Sequence, residues 1–346
     1  MKKITGILAV AAMATSLFAA DFSAGARLSG EVLKYDGNSE GVTAISIKGD
    51  NNPWNKPFAL SVSSDVAGAS WKFTDNVTVA TGVTVDEKKG SVDVAKKGHV
   101  LATSNYQIWF KPVDMLTVKV GNIAESMNTE SIDWGGRVLN YDSFGYECVV
   151  NTNGITFALS LVPGEGNSLI TKAKGADVAV GEVNAYFAYG ADFGTISAMA
   201  DFKSTFKEIA IAAGYKNTFD PVTIFADVAF KTNTDSSVSG LVVDADAVYN
   251  QDAINFQAYV KADMANLSNI GDTLALTAIA KFTYALDAGK VYVYFKDGNL
   301  MAKDFACTVK PGFTGNVGAM GYEVAAQFDI AKKVTVSVPV SFDINF

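Results

Sequence analysis

A two-residue alternation of apolar and polar side chains dominates this sequence, most clearly over its last 13 residues. Apolar side chains occupy every second position from Val334 to Phe346, with polar side chains or Pro339 between them. A β-strand points successive side chains to opposite faces, so the pattern predicts a strand with one apolar and one polar face. Similar alternation recurs in three further segments, 222–231, 254–261 and 273–282. The chain is therefore predicted to be all-β.

The alternating segments are long. Strands of soluble proteins usually run about five or six residues, whereas several of these segments run about ten to fifteen. A tilted strand needs about 9–11 residues to cross a bilayer. One apolar and one polar face then indicate lipid outside and water inside. A soluble β-sandwich produces the same alternation, so this pattern leaves both architectures open.

Composition removes other classes of protein. Only 18% of residues are charged and 11% are aromatic, which is not the composition of a disordered chain. The two cysteines exclude a disulfide scaffold. A net charge of -8 argues against a nucleic-acid partner, because binding nucleic acid requires a concentrated basic surface.

The first 20 residues have the features of a secretory signal peptide. Lys2 and Lys3 precede an apolar stretch from Ile4 to Phe18, and two alanines follow. We expect residues 1–20 to be removed and residues 21–346 to form a single domain. Beyond residue 20 there is no run of about 18 apolar residues that would form a membrane-spanning helix.

The connections between strands provide a second test of the architecture. Eighteen candidate strands can be placed, and their connections alternate between long and short. The long connections are 35–56, 86–99, 122–142, 163–179, 232–238 and 263–271. The short turns include Asp75-Asn76, 112–114, 151–153, 190–192, 217–221, 250–252 and 287–289. Long loops on one side and short turns on the other are typical of outer-membrane barrels.

The signal peptide, the alternating loop lengths and the ending Val338 to Phe346 together resemble bacterial outer-membrane β-barrel proteins, and among them the general porins. The resemblance implies a single transmembrane antiparallel up-and-down β-barrel of about 18 strands, with 16 to 20 compatible with the pattern. It implies residence in the bacterial outer membrane, contact with its lipid, and a homotrimer. In that family a terminal aromatic residue is the signal read by the barrel-assembly machinery. Here the corresponding residues are Phe342, Ile344 and Phe346. Pro339 departs from the pattern, and we expect a local distortion of the sheet there.

The polar faces of the candidate strands predict the lining of the pore. The residues expected to line it are Arg27, Glu31, Lys119, Asp201, Lys203, Asp227, Lys231, Asp244, Asp246, Lys261, Lys281 and Glu323, with Asp329, Lys333 and Asp343. These eight acids and seven bases nearly balance. We therefore expect weak ion selectivity, with the acidic chain favouring cations.

The long connection 122–142 is rich in charge. Porins commonly fold one long loop into the pore, and by that resemblance Glu125, Glu130, Asp133 and Arg137 are the candidate constriction residues. A solvated surface loop with one packed tryptophan accounts for the same residues.

An enzymatic function is not expected, and neither is a cofactor or a metal. The only histidine, His99, lies at a loop end, and a hydrolytic triad usually needs a histidine base. The function that the resemblance implies is a water-filled channel for passive diffusion of small hydrophilic solutes. Two alternatives remain: an outer-membrane adhesin or structural barrel whose outer loops bind host or matrix, and a secreted soluble β-rich binding protein.

Overall fold

The computed structural model describes residues 21–35, 42–48, 58–78, 83–86, 91–94, 98–127, 138–163, 170–172, 178–203 and 205–345. The predicted signal peptide, residues 1–20, lies outside these ranges. The strands are β1 (Asp21–Tyr35), β2 (Val42–Lys48), β3 (Phe58–Ser63), β4 (Ala67–Thr78), β5 (Val83–Asp86), β6 (Ser91–Val94), β7 (Gly98–Val113), β8 (Leu116–Ser126), β9 (Asn140–Thr152), β10 (Ile155–Val162), β11 (Ile170–Lys172), β12 (Val178–Val180), β13 (Glu182–Ala191), β14 (Gly194–Lys203), β15 (Glu208–Phe219), β16 (Val222–Asn233), β17 (Val238–Gln251), β18 (Ile254–Met264), β19 (Leu274–Leu286), β20 (Gly289–Asp297), β21 (Cys307–Val317), β22 (Met320–Ala325), β23 (Gln327–Ile330) and β24 (Val334–Asn345).

Helical structure in the described ranges is confined to the connection between β18 and β19. It consists of a 3-10 turn, Leu267–Asn269, and one short helix, α1 (Ile270–Thr273). Within the described residues, no helix is long and apolar enough to cross a membrane.

Twenty of the strands form one antiparallel sheet that closes on itself, because β1 pairs with β24. Along its other edge β1 pairs first with β3 and then with β2, so these two strands together fill one position in the barrel. In the same way β22 and β23 pair with successive parts of β24. The 20 strands therefore occupy 18 positions, the number expected from the sequence. Two separate hairpins, β5–β6 and β11–β12, lie in the connections.

The connections are sorted between the two ends of the barrel, as the sequence predicts. Every connection at the end of the barrel where β1 begins and β24 ends is a short turn, such as 153–154, 220–221 and 287–288. We call this the turn end, and we call the opposite end, which holds 127–139 and 265–273, the loop end.

Two of the predicted boundaries are wrong. Asp75-Asn76 is not a turn, because both residues lie inside β4 and pair with β7; the turn lies at 64–66. There Ser64 Oγ accepts a hydrogen bond from the backbone N–H of Ala67, and this bond stabilises a turn that contains neither Asn nor Gly. Residues 42–48 were expected inside a loop, but they form β2, because β1 is long enough to pair with both β2 and β3.

The two faces of the sheet differ in chemistry. The outward positions carry large apolar side chains that are exposed on the isolated barrel, among them Phe230, Phe256 and Val260. The inward positions carry buried polar and charged side chains. This is the arrangement of a barrel surrounded by lipid and filled with water or polar groups.

Pro339 lies beside an irregularity in the sheet, as expected. It pairs with Glu31, and the register between β1 and β24 then shifts, so that Leu33 pairs with Val338. Val32 is the extra residue and forms a bulge. Proline has no N–H to donate to the ladder, and a bulge beside it accommodates that loss.

Candidate channel interior

An apolar cluster lies inside the barrel along one side of the wall, from β8 to β17. Its members come from β8 and β9, from the connection 127–139 and from the inward faces of β14 to β17, and Val162 of β10 and Tyr186 of β13 pack against it. We call it the cross-lumen cluster; its residues are Ile123, Met127, Val138, Leu139, Tyr141, Met199, Ala212, Ala229 and Val242. β9 and β17 are six positions apart in a barrel of 18, so the contact reaches a third of the way round the wall.

Small residues on the wall make room for this contact. A Cβ atom on Gly214 would lie 3.0 Å from Cε of Met127, so the methionine reaches the backbone of β15. Ala212 and Ala229 are direct register partners beside it, and both are buried. The backbone N–H of Met127 donates to the carbonyl oxygen of Leu139 at 3.2 Å, which joins the two ends of the connection 127–139.

The predicted loop 122–142 is shorter than expected. Glu125 lies in β8, where it pairs with Tyr141 of β9, and its side chain is outside the described part of the structure. Glu130, Asp133 and Arg137 also lie outside the described residues. The proposed role of these charges in a constriction therefore stays a prediction. The described residues of the connection, Met127, Val138 and Leu139, are apolar and belong to the cluster.

A row of buried carboxylates lines the wall next to the cluster. Asp227 of β16 is the direct register partner of Asp244 of β17, whose partner on β18 is Lys261. Both aspartates are almost completely buried. The hydroxyl of Tyr259 donates to Asp244 Oδ2 at 3.2 Å, which gives this buried carboxylate a neutral hydrogen-bond donor.

Asp246 lies one step nearer the turn end on the same face as this row. Gln257 Nε2 donates to its Oδ2 at 2.6 Å. Like Asp227 and Asp244, it is almost completely buried.

A second group of charges lies on β8 to β14. Lys119 pairs with Glu147 at 2.5 Å, and the Ser160 hydroxyl donates to the other carboxylate oxygen of Glu147 at 3.0 Å. Towards the loop end, Lys203 lies 3.3 Å from Asp201 and 3.7 Å from Glu182. Lys119 and Lys203 are therefore each paired with carboxylates of the wall.

The wall formed by β19 to β22 is richer in lysine. Lys281 and Lys310 both lie over the ring of Tyr292, at 5.3 and 5.8 Å from its centroid. Lys310 also pairs with Glu323 at 2.6 Å, and the Tyr292 hydroxyl bonds the same carboxylate. Acids and bases thus face the interior together on several parts of the wall, and lysines outnumber acids on the inward face of β19 to β22.

The register places the predicted lining residues on this inward face. The predicted residues that lie on it are Glu31, Lys119, Asp201, Lys203, Asp227, Lys231, Asp244, Asp246, Lys261, Lys281, Glu323, Asp329 and Asp343. Arg27 pairs with Asp343 through its backbone. Lys333 lies in the connection 331–333.

Other interior charges are absent from the prediction. Glu147, Glu182, Lys296 and Lys310 lie on the same face. The alternation of Phe144, Tyr146 and Cys148 already identifies Glu147 as inward. The wall of the cross-lumen cluster also has a signal, since residues 209–214 are apolar at every position, so that the inward face of β15 is apolar as well as its exposed outward face.

The comparisons with known proteins identify the fold. No family model matches the sequence, and no curated protein is found to resemble it. Solved structures of bacterial outer-membrane porins do match. Pseudomonas aeruginosa OccK8 (OprE) superposes with a TM-score of 0.58 at 8% identity, covering 94% of this chain and 98% of that chain. Acinetobacter baumannii OccAB4 gives 0.56 at 7% identity, with 95% and 98% covered.

The outer membrane protein OpdK of Pseudomonas aeruginosa gives a TM-score of 0.56 at 10% identity, with 95% of this chain and 99% of that chain covered. At these identities the likeness is one of fold. The chain therefore has the fold of a bacterial outer-membrane porin barrel.

Proposed function

We propose that this chain is an outer-membrane porin that lets small hydrophilic solutes cross by passive diffusion. The observation that carries the proposal is the cross-lumen cluster inside a closed barrel with a charged interior. A barrel of 18 positions is wide enough for an aqueous channel, and the side chains of Met127, Val138 and Leu139, which pack on the inside of its wall, narrow that channel. Solutes would be selected by width and by the field of the wall, without turnover or cofactor.

We propose a weak preference for cations. Its support is the wall beside the cluster, where Asp227, Asp244 and Asp246 are buried within two strands. The lysines of β19 to β21 lie elsewhere on the wall and offset most of this charge. The narrow part of the channel would therefore attract cations modestly.

The membrane partners proposed are outer-membrane lipid, the barrel-assembly machinery and two further copies of the chain. The support for the first two is the outward apolar face, including Phe342 on β24. Ile344 pairs through its backbone with Ala26 and Met320, while Phe346 lies outside the described residues. The homotrimer rests on the family resemblance.

The test is conductance of the purified, refolded protein in a planar bilayer, with a salt gradient across it. Discrete current steps and a reversal potential of the sign for cation preference are expected. A folded barrel without steps would contradict the porin proposal and favour an adhesin or structural barrel. A protein that stays soluble without detergent, and whose gel mobility does not change on heating, would instead be a secreted binding protein.

A further inference from the structure

A cavity of about 550 Å³ opens at the loop end, between Leu139 of the cross-lumen cluster and the wall formed by β14 to β18. Sites for small molecules commonly have volumes of this size. Leu139 and Val242 give the cavity an apolar surface, and charged side chains surround it. Its position puts it in the path of a solute entering from the loop end.

Two of the charges that line this cavity are not neutralised by a direct partner. The side chains of Lys231 on β16 and Asp263 on β18 make no hydrogen bond or ion pair with any residue in the described ranges. By contrast, Lys203 in the same lining already contacts Asp201 at 3.3 Å. Lys231 and Asp263 interact electrostatically with one another, but they are too far apart for a direct ion pair.

The strand register explains the gap between the two side chains. Lys231 pairs with Gly240 of β17, and Asp263 pairs with Val242 two residues further along the same strand. Two strand spacings and this offset separate their Cα atoms by about 12 Å. Gly240 also lines the cavity, and a Cβ atom there would lie 3.0 Å from the backbone carbonyl oxygens of Met264 and Ala265.

We propose that this cavity binds small zwitterions, with the carboxylate of the solute at Lys231 and its ammonium group at Asp263. A simple anion would meet the carboxylate of Asp263, and a simple cation would meet the ammonium group of Lys231. Only a solute that carries both charges satisfies both residues. Simple anions and cations are excluded because each would lie next to a side chain of its own sign of charge. The apolar surface of Leu139 and Val242 accommodates the carbon skeleton. The site deepens the proposed channel function and rests on it for its role in transport.

The test is titration calorimetry on the refolded full chain at low salt, with L-alanine and 4-aminobutyrate as zwitterions and with acetate and methylammonium as single charges. At least one zwitterion is expected to bind about tenfold more tightly than either single charge, because each charged hydrogen bond adds affinity of that order. Equal binding of acetate or methylammonium would overturn the proposal, and so would the absence of zwitterion binding.

Variants test the two residues. Lys231→Gln and Asp263→Asn are each expected to weaken zwitterion binding about tenfold, as one charged contact is lost. The exchanged variant K231D/D263K is expected to recover binding, since the zwitterion can bind in the reversed orientation. The matched control is Lys296→Gln, an interior lysine on β20 outside the cavity, which should bind as the parent does.

Folding is checked for each variant by the heat-dependent shift on gels. Unchanged affinity in both folded single variants, or no recovery in the folded exchanged variant, would overturn the assignment. Conductance is measured separately. Channel steps without zwitterion binding would defeat this inference alone, while binding without steps would defeat the channel proposal alone.

Discussion

Asp227 and Asp244 are direct register partners on adjacent strands, and both carboxylates are buried on the interior face of the barrel. Like charges placed directly opposite one another destabilise a sheet. Lys261 opposite Asp244 and the hydroxyl of Tyr259 compensate part of that cost. The pair nevertheless concentrates negative charge beside the cross-lumen cluster.

Replacing these carboxylates should therefore change ion selectivity. Asp227→Asn and Asp244→Asn are each expected to lower the cation-to-anion permeability ratio by up to about fivefold, since a unit charge a few Å away contributes about 1 kcal/mol in a watery pore. The reversal potential in a potassium chloride gradient measures this ratio. Asp329→Asn is the control, because Asp329 lies on β23 and is bonded to Thr308. An equal change in the control would mean that the position of the charge is unimportant.

The cross-lumen cluster should set both stability and channel width. Met127→Ala removes a fully buried side chain and is expected to lower the free energy of unfolding by about 2 kcal/mol or more. It should also raise single-channel conductance and current noise, since the segment is held less firmly. Urea unfolding and bilayer recordings measure the two effects. Val228→Ala, on the outward face of β16, is the control. Unfolding at lower urea with unchanged conductance would show that the cluster does not restrict the channel.

The outward face should not tolerate charge. Val260 points outward and is 56% exposed on the isolated barrel. Val260→Lys is expected to cost about 2–4 kcal/mol if that face meets the middle of the bilayer. Asn255→Lys places the same charge on the inward face of the same strand and should cost much less. Refolding yield into lipid vesicles compares them. Similar yields from the two variants would argue against a membrane-facing surface at Val260.

The terminal residues should matter for assembly more than for stability. Removal of Phe346 is expected to reduce the amount of folded protein in the outer membrane if, as we propose from the family resemblance, the assembly machinery recognises the terminal residues of β24. The same variant refolded in detergent should unfold at about the parent's urea concentration. Fractionated cells and heat-dependent gel shifts provide the measurement. Removal of an outward aromatic elsewhere, as in Phe256→Ala, is the control for lost apolar surface.

Much of the barrel wall was predictable because a strand in a closed barrel has only two environments. The alternation on β24 distinguishes an apolar from a polar face without any long-range information. The inward placement of Asp244 and Lys261 follows from the same kind of alternation on β17 and β18. The turn at 64–66 was missed, although Ser64 and Asp65 are residue types that favour turns, because no Gly, Asn or Pro accompanies them.

The interior was harder to predict, since its contacts join residues far apart in the sequence. Met127 touches the backbone beside Gly214 only because the barrel closes and places β15 across from the end of β8. No local pattern encodes such a distance. The same holds for Lys231 and Asp263, which belong to one cavity because two strands bring them together across Gly240.

The sequence by itself determined the strands, their two faces and the sorting of short turns from longer connections. These properties depend on the side-chain period and on local turn chemistry, which each segment carries alone. The tertiary structure decided which inward residues face one another, which charges are neutralised and which remain open in the cavity. Those properties depend on closure of the sheet, because closure fixes the register and brings distant strands to the same interior.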